Sequence, residues 1–237
     1  MTPTTEVSII LPCFNPTGNW LENIAGKYIA LKQDIPLTEL IIVNDGSTKN
    51  FDQGNIKDFF SSYPDVRIIS YPANKGKGYA LREGVKVANG KLHIYTDIDF
   101  PYTNDSLLNI YRALKKGNDV VVGIRNENYY THLPRTRVII SKSLRFLIRK
   151  SLRIPTDDTQ CGLKGFNQNG KEVFLKTTID RYLFDLEFIF LAARKKSSIK
   201  TVEVNLRDGV ELSSMHWQIL LQEFGNFLKV FCAAIVN

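Results

Sequence analysis

The chain has 237 residues, 43% hydrophobic and 23% charged, with 31 Lys and Arg against 24 Asp and Glu. A chain of this length and mixture buries a core without disulfides, which excludes collagen-like, disordered and disulfide-scaffold classes. The three cysteines, Cys13, Cys161 and Cys232, form no CxxC pair, which argues for reduced thiols and against a zinc ribbon. The formal charge of +7 is local. From Asn128 to Thr156 there is no acidic residue, while Arg135, Arg137, Lys142, Arg145, Arg149, Lys150 and Arg153 all fall there. An anionic partner is expected at that patch.

In chain order, strand-like apolar runs occur at Val7–Leu11, Leu40–Val43, Val66–Ser70, Leu92–Thr96 and Val120–Gly123. Helix-like stretches separate them, near Asn19–Lys32, Ile56–Ser62, Tyr79–Ala88 and Leu107–Lys116. Continuous apolar strands alternating with helices predict an α/β fold with a mostly parallel sheet covered on both faces. Further on, Val138–Arg153 reads as a basic amphipathic helix, Leu183–Lys196 as a helix, Lys200–Leu206 as a strand and Ser213–Val236 as an amphipathic helix. No linker divides the chain, so one domain over 1–237 is expected. Its halves would be about 1–125 for the nucleotide and about 126–212 for the acceptor, followed by a terminal helix. No run approaches the 18 apolar residues of a spanning helix, and no secretory leader is read at the start.

Ligands of open parallel sheets bind beyond the carboxyl ends of the strands. Four strands here run into polar or Gly-rich clusters: Pro12-Cys13-Phe14-Asn15, Asn44-Asp45-Gly46-Ser47, Asn74-Lys75-Gly76-Lys77-Gly78 and Asp97-Ile98-Asp99. Each alone is ordinary turn chemistry. Together they outline a crevice. Asp97 and Asp99, two apart on an extended segment, would face the same side, and two hard oxygen donors suit Mg²⁺ or Mn²⁺ beside a phosphate. The 74–78 cluster offers backbone N–H groups, a helix start and two cations to phosphate oxygens. Neither GxxxxGK[ST] nor GxGxxG after the first strand is present.

These segments resemble the inverting GT-A glycosyltransferases of family 2. IILPCFN, VNDGST, NKGKGYALREG and TDID stand where that family has P-x-N, DDGS, N-x-GKG and DxD. GIRN, DTQCGLKGF and DRYLFDLEF look like signatures of its dolichyl-phosphate β-glucosyltransferases, with dolichyl-phosphate mannose synthases as cousins. The resemblance implies a Rossmann-like GT-A fold and transfer of a hexose, glucose from UDP-glucose, onto a polyprenyl phosphate. It implies that Pro12, Asn15, Asn44 and Asp45 hold base and ribose, with Lys77 near the diphosphate. Asp97 would face the ribose or metal and Asp99 would ligate the metal. Arg125, Arg137 and Lys164 would surround the acceptor phosphate and the leaving group, and Asp158 and Gln160 would line the sugar pocket, with Asp185 and Glu187 behind. Pro16, Ile124 and Tyr182 depart from the family pattern, and Pro101 stands where mannose synthases carry a metal-binding Gln; these departures leave the base open, and UDP is favoured over GDP by the closer resemblance to the glucosyl branch.

A phosphate acceptor is already ionised and needs cations around it, whereas a sugar or protein hydroxyl needs a general base, for which Asp158 and Asp185 are the candidates. For Asp185, pairing with Arg181 one turn earlier is the competing expectation. The basic segment suits an interfacial helix on anionic lipid, which places the protein peripherally on the cytoplasmic membrane face, with room for a membrane-spanning partner subunit. A non-catalytic nucleic-acid module, stacking through Tyr129, Tyr130 and Phe146, would leave Asp97 and Asp99 repelling phosphates, so no nucleic-acid partner is expected.

Overall fold

The structure is a computed structural model that describes residues 5–125, 154–156 and 158–207. Strands β1 (Val7–Cys13), β2 (Thr38–Asp45), β3 (Val66–Tyr71), β4 (Leu92–Tyr95), β5 (Val120–Arg125), β6 (Lys164–Phe166) and β7 (Ile199–Val204) form one sheet in the order β3-β2-β1-β4-β6-β5-β7. All neighbouring pairs are parallel except those of β6, which runs against both β4 and β5. The helices described are α1 (Trp20–Asp34), α2 (Gln53–Phe59), α3 (Lys77–Val87), α4 (Asn104–Lys115), α5 (Gln168–Phe174) and α6 (Phe184–Arg194).

The strands are continuously apolar because both faces are covered. In β1, Val7, Ile9, Leu11 and Cys13 join the layer of α1, α2 and α4, while Ile10 points into the layer of α3, α5 and α6. In β2, Leu40 and Ile42 divide from Ile41 and Val43 in the same way. The parallel α/β expectation holds. The departures are β6 and α5, neither of which the apolar pattern announces. β6 has three residues and begins with a fully buried lysine, so no hydrophobic run marks it.

Two features position the crevice. β1 pairs with β2 as far as Cys13 but with β4 only as far as Ile10, opposite Tyr95. The strands part beyond that point, at the place where the chain order reverses, and there a doubly wound sheet opens to a ligand. Pro12, which has no N–H to donate, stands on β1 where its β4 partner has already ended. At the same end the 205–207 segment clamps the stretch after β4. Tyr102 bridges to Leu206, Thr103 N donates to Asn205 O at 3.0 Å and Arg207 N donates to Pro101 O at 2.9 Å. The expected helices Val138–Arg153 and Ser213–Val236 lie outside the described residues, and no helix among the described residues is long and apolar enough to cross a membrane.

Candidate active site

The loops at the carboxyl ends of β1 to β4 are stitched into one body by side chains from the polar clusters. Asn15, left-handed at φ 46°, accepts from Thr48 N and Lys49 N through Oδ1, while its own N donates to Ser47 Oγ at 2.9 Å. Asn44 Oδ1 accepts from Ser47 N at 2.9 Å. Asp45, only 3% exposed, accepts from Tyr71 Oη (2.8 Å), Asn74 Nδ2 (2.9 Å), Lys75 N (2.7 Å) and Gly76 N (2.9 Å).

That last group corrects the sequence expectation for the 74–78 cluster. The amides of Lys75 and Gly76 are spent on Asp45, and those of Gly78 and Tyr79 on the Asp180 carbonyl. Gly76 permits this because its φ is 110° and a Cβ there would stand 2.5 Å from that carbonyl oxygen. What the loop presents is therefore side-chain charge. Lys75 lies 4.4 Å over the Tyr79 ring, and Lys77 Nζ meets Asp97 Oδ1 at 2.5 Å.

Asp97 and Asp99 are brought together by a turn, not by the extended segment that the i, i+2 spacing suggests. Phe100 N closes the turn on Asp97 O at 3.0 Å, with Phe100 itself at φ 47°, and Arg207 Nη2 holds the Asp99 carbonyl at 2.8 Å. Asp99 is accessible to solvent, yet partial desolvation first and the Asp97 charge second raise its carboxyl above the ordinary range. A carboxyl raised by its neighbour's charge is a natural seat for a divalent cation, and the all-oxygen donor set suits Mg²⁺ or Mn²⁺. Among the described residues no group of three Asp, Glu, His or Cys gathers there, so the remaining ligands would come from diphosphate and water.

The 158–164 segment forms the opposite wall. Asp158, 1% exposed, is gripped by Arg125 through Nε at 2.9 Å and Nη2 at 2.6 Å, and accepts from Arg125 N as well. Gly162 lies directly against Asp97, where a Cβ would overlap Oδ2. Thr96 Oγ1, Thr159 Oγ1 and Gln160 Nε2 are buried polar atoms without a hydrogen-bond partner. Such atoms are costly unless a ligand or water completes them.

Lys164 and Asp185 lie deeper than the sequence reading has them. Lys164 is 0% exposed, and its Nζ donates to Asp185 Oδ1 at 2.6 Å and to Cys161 O at 2.5 Å. Tyr95 Oη donates to the same Asp185 oxygen. Asp185 thus pairs with Lys164 and not with Arg181, because the antiparallel β6 sets Lys164 opposite Tyr95 in register. Glu187 caps the preceding turn, accepting from Thr178 N and Ile179 N at 2.8 Å each. Arg137 falls outside the described residues. Gly162 and Arg207 were not singled out as site residues from sequence. Gly162 carried a signal within DTQCG, but Arg207 carried none.

The sequence profile of Glycosyl transferase family 2 matches residues 8–174, a span that holds the loops after β1 to β4 and the 158–164 wall. The chain belongs to that family. This family 2 chain is 28% identical over 228 residues to a yeast (Saccharomyces cerevisiae) dolichyl-phosphate beta-glucosyltransferase, covering 84% of this chain and 66% of that protein. It is 30% identical over 227 residues to one from Trichomonas vaginalis, covering 90% and 69%, and 27% identical to the human one over 229 residues, covering 86% and 68%. The chain spans about two thirds of the length of these relatives. Among solved structures, mannosyl-3-phosphoglycerate synthase of Rubrobacter xylanophilus superimposes with a TM-score of 0.66 at 17% identity, over 96% of this chain and 73% of that one. Glucosyl-3-phosphoglycerate synthase of Mycobacterium tuberculosis, in complex with Mn²⁺, UDP and phosphoglyceric acid, gives 0.63 at 18%, over 96% and 78%. At these identities the likeness establishes the GT-A fold.

Proposed function

We propose that the chain is an inverting hexosyltransferase that moves glucose from UDP-glucose onto a polyprenyl phosphate, with Mg²⁺ or Mn²⁺ held by Asp97 and Asp99. The family and the dolichyl-phosphate beta-glucosyltransferase relatives support donor and acceptor class, and the Mn²⁺–UDP complex of a structural neighbour supports the metal.

One observation carries the choice of acceptor. Both candidate bases are enclosed, Asp158 at 1% exposure under Arg125 and Asp185 at 4% between Lys164 and Tyr95. A general base must come within hydrogen-bond reach of the proton it removes, and both carboxylates are instead committed to internal cations. An acceptor that needs no deprotonation fits such a site. A phosphate monoester, with a second pKa of about 6, is that acceptor. The hydroxyl-acceptor reading has no such support among the described residues.

In this reading the cation, when bound, neutralises the diphosphate leaving group. The chain supplies the rest. Lys77 brings positive charge to the diphosphate side, the partly exposed Gln160 stands toward the sugar, and the Gly162–Asp97 contact fixes the distance between the walls. Attack from the face opposite the leaving group inverts the anomeric centre. Arg137 and the other bases of 128–156 would meet the acceptor phosphate and anionic lipid at the cytoplasmic membrane face.

The deciding experiment is turnover of UDP- and GDP-sugars with Mn²⁺ or Mg²⁺, with and without a short polyprenyl phosphate in detergent, beside Asp99→Ala. Lipid-dependent UDP release lost in the variant is expected. Donor hydrolysis indifferent to the lipid would move the acceptor to a hydroxyl, and no nucleotide turnover would overturn the enzyme assignment.

A further inference from the structure

Asp97 carries two claims on one carboxylate. Its Oδ1 holds Lys77 Nζ at 2.5 Å, and its Oδ2 is turned to Gly162, so close that a Cβ there would overlap it. The ion pair is partly open to solvent, with side-chain exposures of 22% for Lys77 and 41% for Asp97. A divalent ion approaching Oδ1 at the ~2.1 Å of an Mg–O bond would meet an ammonium already on that oxygen. Two cations cannot share it without strong repulsion. Asp45 and the Asp180 carbonyl take the amides of Lys75, Gly76, Gly78 and Tyr79, so Lys77 is the residue through which that loop can answer a diphosphate.

We propose that Lys77 couples metal binding to diphosphate binding. Its ammonium withholds Asp97 from a divalent ion that arrives alone, and a nucleoside diphosphate, by giving that ammonium another anion, releases Oδ1 to the metal. This rests on the reading of Asp97 and Asp99 as the metal seat. By linkage, UDP then raises Mn²⁺ affinity by the same factor by which Mn²⁺ raises UDP affinity, and Lys77 sets much of that factor.

The test is Mn²⁺ binding to the full chain, followed by the electron paramagnetic resonance of free Mn²⁺, with and without UDP. Lys77→Met and Lys77→Gln are compared with Lys77→Arg, which keeps the charge, and with Lys75→Met, which removes one from the same loop but not from Asp97. Without nucleotide, Lys77→Met and Lys77→Gln are expected to bind Mn²⁺ about fivefold tighter than the native chain, the size of one partly exposed ion pair. Their further gain on adding UDP is expected to shrink, while Lys77→Arg stays near native in both conditions. Unchanged or weaker Mn²⁺ binding by Lys77→Met without UDP overturns the proposal and leaves the metal seat standing. So does Lys75→Met matching Lys77→Met, which would make the effect one of general charge. A native chain that takes no Mn²⁺ even with UDP overturns the metal seat as well.

Discussion

Replacing Asp185 by Asn would leave the Lys164 ammonium inside the protein facing neutral acceptors and the Tyr95 ring, without its counter-charge. The side chains of the pair are 0% and 5% exposed and meet at 2.6 Å, so water cannot take over the lost contact. Breaking a buried ion pair from one side costs about 3–5 kcal/mol. For a chain of this size each kcal/mol moves the melting temperature by about 2–4 °C, so a fall of roughly 6–20 °C is expected. Lys164→Met should cost a similar amount, by removing the cation hydrogen-bonded to Asp185. The double variant should fall short of the sum by at least ~2 kcal/mol, because neither charge is then stranded. Thermal and urea denaturation of the four proteins completes the cycle. Single losses below ~1 kcal/mol that simply add would refute the idea that this pair forms the floor of the site. Turnover per folded molecule of Asp185→Asn, taken well below its melting point, separates support from catalysis. A general base would lose on the order of 10²–10⁴-fold, whereas a buried support should lose under about tenfold.

Gly162→Ala should lower kcat/KM by about 10²-fold, the effect of an ångström-scale shift at a reacting site, because its Cβ displaces Asp97; retention of full activity would show that the two walls need not touch. His93, fully buried and stacked on Phe166, has its imidazole pushed down to about 3 by burial first and the Lys171 charge second. The unfolded chain gains that proton near pH 6.5, so stability present above that pH is lost as pH falls toward 3, by about 2 kcal/mol at pH 5. His93→Phe should lose correspondingly less between pH 7 and pH 5 in urea denaturation, and equal losses would refute the assignment. Gly84→Ala should destabilise by about 1 kcal/mol, since its Cβ would sit 2.5 Å from Ile10 Cγ2 and 2.9 Å from Val43 Cγ2 and the overlap exceeds the helical gain. Gly26→Ala on α1, with nothing within 4 Å, should instead stabilise by about 0.5–1 kcal/mol; melting temperatures that move together would contradict both.

The first five strands and their loops were legible because a strand buried on both faces must be apolar throughout, and because the polar residues after such a strand have one place to go. The family motifs narrowed the chemistry further. Direction is not written in an apolar run, so nothing showed that β6 opposes its neighbours. Lys164 and Asp185 illustrate the same limit from another side. A lysine next to glycine and phenylalanine reads as a solvent or ligand contact, and an aspartate four residues after Arg181 reads as a helix-face pair. The actual partner is set by strand register, which sequence spacing does not record. Asp45 likewise reads as a nucleotide ligand, while its four hydrogen bonds make it the peg on which the next loop hangs.

The reversed β6 also fixes where variation is cheap. β5 ends at the crevice, and a strand of opposite direction must begin there, so the excursion from residue 126 to residue 163 departs from and returns to one rim of the sheet. Lengthening or rewriting such an excursion leaves every strand pairing intact, and each doubling of its length costs only about 0.6 kcal/mol in closure entropy. The nucleotide half, by contrast, is threaded through parallel crossovers that begin at one end of the sheet and finish at the other. What any such change must keep is the stretch 158–162, because Asp158 holds Arg125 and Gly162 lies against Asp97.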